Sequence, residues 1–424
     1  MSSARIRPGP VYGRVRAPPS KSYTHRALVV GHLTHRPFRV VRPLDSDDTR
    51  ATASALHQLG TSIRRERDVW HLSPSFRRSA QDPVRIQCHE SGTTLRFVSA
   101  LACLENRTAV IAGEGRLSAR PIDQLLGALR TLGATCRHVR GRGLPIELRG
   151  PLHGGKVSLD ASESSQFASA LLLALPTLEE SSVLELTGKI VSRPYLDATV
   201  AVLAHHGIRI SRQGRCFRVP GHQRFRGAQF VVPGDASSAA YLWAAAAVSG
   251  GRVRVDGVGE KWPQADLAAL ELLDSAGANV NRWSGGAEVS FGRPTPFRVD
   301  LTDAPDLYSL AGVLAATTPG ESRIVGASQV VFKESNRKTA TARLTRRLGA
   351  KVQETSQGLR IYGTSRPKAL NLPHLSDHRL VMSAAVGALA ASGPSTVGER
   401  QAVRKSYPGF WSTLRDLSEG GSRS

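Results

Sequence analysis

Polar and charged residues that could bind an anion recur at nearly constant intervals along this 424-residue chain. Each group stands directly before an apolar, Ala- and Leu-rich run, where the N-cap and first turn of a helix would lie. The groups begin at residues 21, 92, 165, 235, 306 and 377, so the intervals are 71, 73, 70, 71 and 71 residues. Helix N-termini present unpaired amides and the positive end of the helix dipole, which bind phosphate and carboxylate groups. The pattern therefore predicts binding of a ligand that carries more than one anionic group.

The six groups mix hydroxyls, carboxylates and cations. They comprise Lys21, Ser22 and Arg26; Gly92, Thr93 and Arg96; Ser164, Ser165 and Gln166; Asp235, Ser237 and Ser238; Asp306; and Asp377 and Arg379. Further positive charges are supplied by Arg120, Lys333, Arg337 and Lys405. An arginine can hold a carboxylate or phosphate through two parallel hydrogen bonds. Because a single Ser or Asp before a helix is most often only a cap, the inference depends on their joint recurrence.

These groups need a repeated framework to position them. A second predicted helix follows in each of the first five repeats and ends before a glycine, as helices commonly do; these glycines are Gly60, Gly133, Gly207, Gly277 and Gly349. Short apolar runs bounded by Gly, Pro or Ser predict strands, for example at 84–88, 108–113 and 182–188. A period this long indicates that each repeat is one supersecondary unit. We therefore expect an α/β protein made of six βαβαββ units.

Composition limits the classes of protein that fit. A chain of 424 residues suits two domains of three units each. No apolar stretch approaches the ~20 residues of a membrane helix, and residues 1–20 lack the apolar core of a secretory signal. The four cysteines, Cys88, Cys103, Cys136 and Cys216, form no C-x-x-C pair, which favours a cytoplasmic protein without structural zinc.

The net charge is +23, a value that would also suit a nucleic-acid-binding protein. The arginines, however, are spread over all six repeats, and three of the nine lysines (Lys21, Lys333 and Lys405) belong to the groups above. We therefore expect a small anionic substrate rather than a nucleic acid. Asp45, Asp47 and Asp48 could suggest a cation site, but they precede a predicted helix, where acidic residues favour the N-terminal amides.

Nine motifs, in order, resemble those of the 5-enolpyruvylshikimate-3-phosphate (EPSP) synthase family: PPSKSYTHRAL, SGTTLRF, GRLSARPIDQLLGALRTLGA, SSQFASALLL, SRPYLD, PGDASSAAY, KESNR, SDHRLVM and KSYPGFW. The resemblance extends from about Pro18 to Leu417. A motif such as SSQF is weak by itself, but nine motifs in register with the internal repeat are specific.

The resemblance implies transfer of the enolpyruvyl group of phosphoenolpyruvate to the 5-hydroxyl of shikimate 3-phosphate, with release of phosphate and without a metal or organic cofactor. It also implies a two-domain inside-out α/β barrel, the enolpyruvyl transferase fold, with the active site in the cleft between domains that close over substrate. We place one domain at residues 1–18 and 233–424 and the other at 19–232, because a Pro or Gly turn precedes a repeat start at each boundary. The protein is expected to be a monomer with no nucleic-acid or membrane partner.

Matching the motifs residue by residue assigns the ligand contacts. Shikimate 3-phosphate would be held by Lys21, Ser22, Arg26, Ser164, Ser165, Gln166, Ser192, Tyr195, Asp306, Gln329 and Lys333. Phosphoenolpyruvate would be held by Lys21, Gly92, Arg120, Arg337, Arg379 and Lys405. The reaction needs a base at the attacking hydroxyl and a proton donor at the methylene carbon. The resemblance points to Asp306 as the base and to Glu334 with Lys21 as the proton-transfer pair.

The sequence departs from the usual motifs of the family in four places, one of them a pair of residues. His89-Glu90 stands where Gly-Asn is usual, and Asn336 replaces the Asp of the K-E-[ST]-D-R segment. Gln329 stands at a position that is often Asn, and Ser376 precedes Asp-His-Arg where Asn is common. Glu90 is the largest change, because it adds bulk and a negative charge beside the expected phosphoenolpyruvate pocket.

Two other functions remain as alternatives. UDP-N-acetylglucosamine 1-carboxyvinyltransferases share the fold and the enolpyruvyl donor, but usually carry a reactive cysteine before their A-R-P-[VI]-D segment. Here that loop reads GEGRLSARPID, and residues 104–135 contain no cysteine. Glu90 and Asn336 keep a diverged, weakly active relative as the second alternative. Beyond these two, a different class of protein, either a basic scaffold that binds nucleic acid or a non-catalytic relative, would be favoured if the cations did not converge on one cleft.

Overall fold

The protein divides into two compact units in a computed structural model that describes residues 3–74 and 82–420. The first unit combines Met1–Pro18 with Gly234–Ser424, and the second is Pro19–Pro233. The chain therefore passes from one unit to the other twice, at Pro18-Pro19 and at Pro233-Gly234. Both junctions contain proline, whose fixed φ restricts the backbone there.

Each repeat contributes two helices in the part of the chain that the structure describes. Those of the second unit are α1 (Lys21–Leu33), α2 (Asp47–Gln58), α3 (Gly92–Ala102), α4 (Asp123–Thr131), α5 (Ser165–Ala174) and α6 (Arg193–His205). Those of the first unit are α7 (Ala236–Ser249), α8 (Ala268–Ser275), α9 (Tyr308–Ala316), α10 (Arg337–Arg347), α11 (His378–Leu389) and α12 (Phe410–Gly420). Short 3₁₀ turns lie at Gly115–Ala119, Leu175–Thr177, Ala265–Leu267, Pro305–Leu307, Ser328–Phe332 and Arg400–Lys405.

Short strands connect the helices. In the second unit they are β3 (Phe38–Val41), β4 (Thr61–Arg65), β5 (Val69–Pro74), β6 (Val84–Gln87), β7 (Thr108–Ala112), β8 (Thr135–His138), β9 (Ile146–Arg149), β10 (Gly155–Asp160), β11 (Ser182–Thr187), β12 (Ser211–Gln213), β13 (Cys216–Val219) and β14 (Gln229–Val231). In the first unit they are β1 (Ala4–Ile6), β2 (Tyr12–Arg16), β15 (Arg252–Asp256), β16 (Asn279–Trp283), β17 (Gly286–Ser290), β18 (Arg298–Asp300), β19 (Gly320–Val325), β20 (Lys351–Thr355), β21 (Gly358–Gly363), β22 (Asn371–Leu372) and β23 (Ser395–Val397).

The strands form six small sheets among the described residues, one for each repeat. In the repeat over 84–149, β6 pairs parallel with β7, β7 antiparallel with β9, and β9 antiparallel with β8. The same order recurs in β10-β11-β13-β12 and in β18-β19-β21-β20. These three repeats confirm the predicted βαβαββ arrangement in continuous stretches of chain.

The other three repeats borrow a strand from a distant part of the chain. β14 completes the sheet of β3, β5 and β4, and β2 completes the sheet of β15, β17 and β16. The last sheet has three described strands, because β22 and β23 are completed by β1 alone. The sheet of this repeat therefore has one described strand fewer than the other five.

The first helix of each repeat lies inside its unit. Every residue of α9 and α11 is buried, and so are nearly all residues of α5. Strands such as β6 bury alternate residues and expose the others. A helix that is apolar on all sides must be surrounded by protein, so each unit has helices at its centre and sheets with one solvent-facing side, as the inside-out fold requires.

The predicted ends of the second helices are confirmed. Gly60, Gly133, Gly207, Gly277 and Gly349 each follow the C-cap residue and have φ between +79° and +99°. This left-handed conformation is costly for residues with a Cβ atom.

We predict opposite effects for alanine at two glycines. Gly277 has φ +88°, and a Cβ atom there would collide with the carbonyl oxygen of Arg293; Gly277→Ala should lower the free energy of unfolding by more than about 1 kcal/mol. Gly127 lies within α4, where a Cβ atom would meet nothing within 4 Å, so Gly127→Ala should raise it by about 0.5–1 kcal/mol. Urea unfolding measures both, and equal shifts would show that backbone conformation is not the cause.

Candidate functional site

The starts of five helices in the second unit are joined by hydrogen bonds. Lys21 Nζ at the start of α1 lies 2.9 Å from Asp48 Oδ2 in the first turn of α2. The Asp48 carbonyl accepts from Thr94 Oγ1 on α3 at 3.3 Å. Thr93 Oγ1 accepts from Gln166 Nε2 on α5 at 3.0 Å, and Arg26 of α1 reaches α6. We call these residues the Lys21 cluster, together with their neighbours Gly92, Arg96, Arg120, Ser164, Ser165, Ser192 and Tyr195.

Arg26 is buried and bonded to the protein through three nitrogen atoms. Its Nε donates to Thr199 Oγ1 at 2.9 Å, and its two Nη atoms donate to the carbonyls of Ser22 and Tyr195 at 2.9 and 2.8 Å. Burial lowers the pKa of Arg26 to about 10. Arg26 therefore fixes the start of α6 against α1 and places positive charge between Ser22 and Tyr195.

Gly92 begins α3 beside two guanidinium groups. Arg96 Nη1 donates to the Gly92 carbonyl at 3.1 Å and Arg96 Nη2 to the Pro121 carbonyl at 2.6 Å. A Cβ atom at Gly92 would lie 2.5 Å from Nη1 of both Arg96 and Arg120. A glycine is therefore required for the half-buried Arg120 to lie against the start of α3.

Hydroxyls surround the starts of α5 and α6. Ser164 is the N-cap of α5 and accepts from the amide of Gln166 at 3.2 Å, and the Ser165 side chain is buried. Ser192 precedes α6 with φ +56° and ψ +41°. Left-handed backbone in a residue other than glycine is strained and clusters at functional sites. The Tyr195 side chain is half-buried one turn further along α6.

The His89-Glu90 departure has a clear local structure. His89 has φ +48°, a conformation that suits the usual glycine, and its Nδ1 lies 3.1 Å from Glu114 Oε1. Glu90 is exposed, and a Cβ atom on Gly115 would collide with its carboxylate. Glu90 therefore lies against the 115–119 turn that leads to Arg120.

Arg337 organises the corresponding site of the first unit. Its side chain is 1% exposed and contacts three carboxylates. Nε donates to Asp377 Oδ2 at 2.9 Å, Nη1 to Asp306 Oδ1 at 2.9 Å, and Nη2 to Glu334 Oε2 at 2.7 Å. Burial would lower the pKa of Arg337, but the three negative charges raise it above its ordinary value. We call this group, with Lys333 and Arg379, the Arg337 cluster.

Asp306 is shared by three cations of the Arg337 cluster. Besides Arg337, it accepts from Arg379 Nη2 at 2.9 Å, and Lys333 Nζ lies 3.7 Å away. The Arg379 guanidinium is 5.9 Å from the Tyr241 ring centroid. Its Nε and Nη1 are buried and meet no hydrogen-bond acceptor among the described residues. Arg379 thus retains donors for an anionic ligand.

A buried carboxyl group lies at the start of α7. Asp235 caps this helix by accepting from the Ser238 amide at 2.8 Å, and the Ser237 hydroxyl donates to Asp266. Desolvation and the negative charge of Asp306 raise the pKa of Asp266 to about 6, although the Arg379 charge opposes the shift. Asp266 is therefore neutral in a large fraction of molecules near pH 6.

The remaining expected ligand contacts are also in the first unit. Gln329 is buried and donates from Nε2 to the Thr302 carbonyl at 2.9 Å. Lys405 ends the 3₁₀ turn at Arg400–Lys405 and is half-buried. Asn336, at the usual Asp position, caps α10 by accepting from the Thr339 amide at 3.3 Å, so the substitution preserves the cap.

Sequence reasoning missed three contributors. Asp48 was assigned to capping, but the cap of α2 is Ser46, and the Asp48 side chain binds Lys21. Asp266 precedes α8, which is not one of the helices with the 71-residue spacing. His25 lies inside an apolar run and carries no signal except its polarity.

The described residues contain no group of three or more His, Cys, Asp or Glu side chains arranged to hold a metal ion. None of their helices combines the length and apolarity needed to cross a membrane.

Two units of central helices, with cations and carboxylates at the helix starts, define an α/β protein of the enolpyruvyl transferase fold. A model of the EPSP synthase (3-phosphoshikimate 1-carboxyvinyltransferase) family matches residues 6–414. The chain belongs to this family.

Known relatives cover almost the whole chain. A 3-phosphoshikimate 1-carboxyvinyltransferase of Halobacterium salinarum is 40% identical over 98% of each chain. One of Thermococcus kodakarensis is 39% identical over 96% of this chain and 98% of its own. The solved EPSP synthase of Acinetobacter baumannii has a TM-score of 0.81 at 23% identity, with 98% of each chain covered, and shares the fold.

We predict a pH-dependent effect of Asp266→Asn on stability. A native carboxyl with a pKa of about 6 keeps a proton that an unfolded aspartate releases near pH 4. Wild-type stability should therefore lose a contribution as pH rises from about 4 to 6, and asparagine cannot titrate. The free energy of unfolding of Asp266→Asn, relative to wild type, should rise over this range and then level off. Asp274→Asn, at an exposed position of α8, is the control; a constant difference for Asp266→Asn would contradict the assignment.

Proposed function

We propose that this chain transfers the enolpyruvyl group of phosphoenolpyruvate to the 5-hydroxyl of shikimate 3-phosphate and releases phosphate. Family membership supports the reaction. The observation that supports assigning individual residues to this reaction is the pair of clusters. In each cluster, helix starts and cations lie beside carboxylates. Such groups suit ligands with both phosphate and carboxylate groups.

We propose that shikimate 3-phosphate contacts both clusters. Its phosphate and carboxylate would be held by the second unit, through Ser22, Arg26, Ser164, Ser165, Gln166, Ser192 and Tyr195. Hydroxyls and amides at the starts of α5 and α6 support this, because they can donate to anionic oxygen atoms. Asp306, Gln329 and Lys333 of the first unit would bind its ring hydroxyls.

Phosphoenolpyruvate would be held by Lys21, Gly92, Arg120, Arg337, Arg379 and Lys405. The buried donors of Arg379 and the close approach of Arg120 to Gly92 support this assignment. Arg337 already binds three carboxylates, so we propose that it contributes mainly by holding Asp306 and Glu334 in place, with one Nη1 hydrogen left for the ligand. The two ligands would thus draw groups of both units into one active site.

The proposed chemistry consists of an addition and an elimination. The 5-hydroxyl oxygen bonds to C2 of phosphoenolpyruvate, Asp306 accepts the hydroxyl proton, and Glu334 with Lys21 delivers a proton to C3, which becomes a methyl group. Loss of a methyl proton to the same pair and departure of phosphate from C2 then restore the double bond. The cations stabilise negative charge on the departing phosphate.

We also propose that the enzyme acts as a cytoplasmic monomer. The four cysteines are free thiols, as expected in a reducing compartment. Each cluster is built entirely from one chain, so neither needs a second copy for its assembly.

A phosphate-release assay with two acceptors tests the function. We expect release from phosphoenolpyruvate with shikimate 3-phosphate and none with UDP-N-acetylglucosamine. Release only with the UDP-sugar would establish the alternative transferase. Slow release with shikimate 3-phosphate that Glu90→Asn accelerates would favour a weakly active relative instead.

We predict that Glu334→Gln lowers kcat by roughly 100-fold or more if the carboxyl transfers a proton in the reaction. Glutamine retains the size and can still accept from Arg337, so binding of shikimate 3-phosphate should change little. Glu354→Gln, in β20, is the matched control and should retain wild-type kcat. A near-normal kcat with a raised KM for Glu334→Gln would contradict proton transfer.

A further inference from the structure

A buried chain of polar side chains connects three helices beneath the Lys21 cluster. His25 Nδ1 on α1 lies 2.7 Å from Thr52 Oγ1 on α2. Thr52 Oγ1 lies 2.7 Å from Thr94 Oγ1 on α3, which lies 2.7 Å from the Ser91 hydroxyl. All four residues are at most 1% exposed. Bulk water therefore has almost no access to these four side chains.

The two ends of this series of hydrogen-bonded side chains, His25 and Ser91, lie beside the groups proposed to bind phosphoenolpyruvate. His25 is four residues after Lys21 and thus on the same face of α1. Ser91 is the N-cap of α3 and directly precedes Gly92. Thr94 also donates to the carbonyl of Asp48, whose carboxylate holds Lys21. A shift of any member would therefore move Lys21 relative to Gly92.

Which atom donates in each of these hydrogen bonds can be inferred from Ser91 at one end of the series and His25 at the other. Ser91 Oγ accepts from the Thr94 amide at 3.3 Å, as an N-cap does. The single Thr94 hydroxyl hydrogen can donate to Ser91 Oγ at 2.7 Å or to the Asp48 carbonyl at 3.3 Å. In either case the Thr94 oxygen accepts from Thr52, and Thr52 accepts from His25 Nδ1–H. His25 Nε2 is buried and meets no hydrogen-bond partner among the described residues. A buried lone pair costs less there than a buried N–H, so the neutral Nδ1–H tautomer fits. Burial and the charges of Lys21 and Arg26 also lower the pKa of His25 well below its ordinary value.

We propose that His25 is a positioning residue for the enolpyruvyl transfer, which acts through Thr52 and Thr94 to hold Lys21 and the start of α3 in register. This inference rests on the proposed function for the roles of Lys21 and Gly92. His25 touches neither ligand in this proposal. Because Lys21 belongs to the proposed proton-transfer pair, loss of His25 should lower kcat more than it changes KM, since small displacements of reacting groups slow the chemical step.

Two substitutions at this position separate hydrogen bonding from packing. Asparagine places an amide nitrogen close to the position of His Nδ1 and can still donate to Thr52, whereas leucine fills space without a donor. We expect His25→Leu to lower kcat at least ~10-fold with little change in KM, and His25→Asn to restore kcat to within ~3-fold of wild type. Equal impairment in both variants, or wild-type kcat in His25→Leu, would overturn the proposal.

His32 provides a matched control on the same helix. Its Nδ1 also lies 2.7 Å from a threonine hydroxyl, that of Thr61, but it is near the opposite end of α1. His32→Leu should therefore keep kcat within ~2-fold of wild type even if its melting temperature falls. A kcat loss equal to that of His25→Leu would show that loss of any imidazole–threonine hydrogen bond of α1 slows the enzyme, and would overturn the positioning role.

Two further measurements test the proposal if His25→Leu does not fold or if the proposed function is wrong. If His25→Leu does not fold, Thr52→Val removes the central hydroxyl with little change in shape and should give the same loss of kcat. The tautomer is read in the substrate-free enzyme by ¹⁵N NMR of the histidine rings, assigned with His25→Asn. Protonation at Nε2 would contradict the hydrogen-bond direction whether or not the enzyme turns over these substrates.

Discussion

The first amides of the central helices have no acceptors within their own helices, and the rest of the structure depends on how they are satisfied. Helices such as α5 and α11 are buried over nearly their whole length, so hydroxyls, carboxylates or a ligand are the partners available to these amides. Ser91, Ser164, Asp235 and Asp377 supply side-chain caps. Since these starts recur about every 71 residues, the repeat that builds the core also produces two clusters of groups whose chemistry suits anions.

The two clusters balance their charge differently. Lys21 is paired with Asp48, and Arg26 interacts with neutral oxygen atoms of Ser22, Tyr195 and Thr199. Arg337 is instead surrounded by three carboxylates, which offset the cost of burying its charge. Asp306 and Glu334 are therefore held by the same guanidinium. This arrangement fixes the separation between the proposed base and the proposed proton donor.

Local patterns predicted the helix starts, the glycines after the second helices and the βαβαββ order of elements. Pairings between distant segments were not predictable in this way: β14 joins β3 across about 190 residues, and β1 completes the sheet of β22 and β23. The candidate site showed the same division. Lys21 and Arg379 stand at helix starts and were found from spacing, whereas Asp266 and His25 become visible only through their partners, Ser237 and Thr52.

The central claim is that shikimate 3-phosphate engages groups of both units and thereby draws them into one site. Small-angle X-ray scattering of the intact protein, with and without saturating shikimate 3-phosphate, measures this directly. A ligand that bonds to groups of both units would draw them closer together, so we predict that the radius of gyration falls when the ligand binds. An unchanged radius, with binding verified by calorimetry in the same buffer, would contradict the claim.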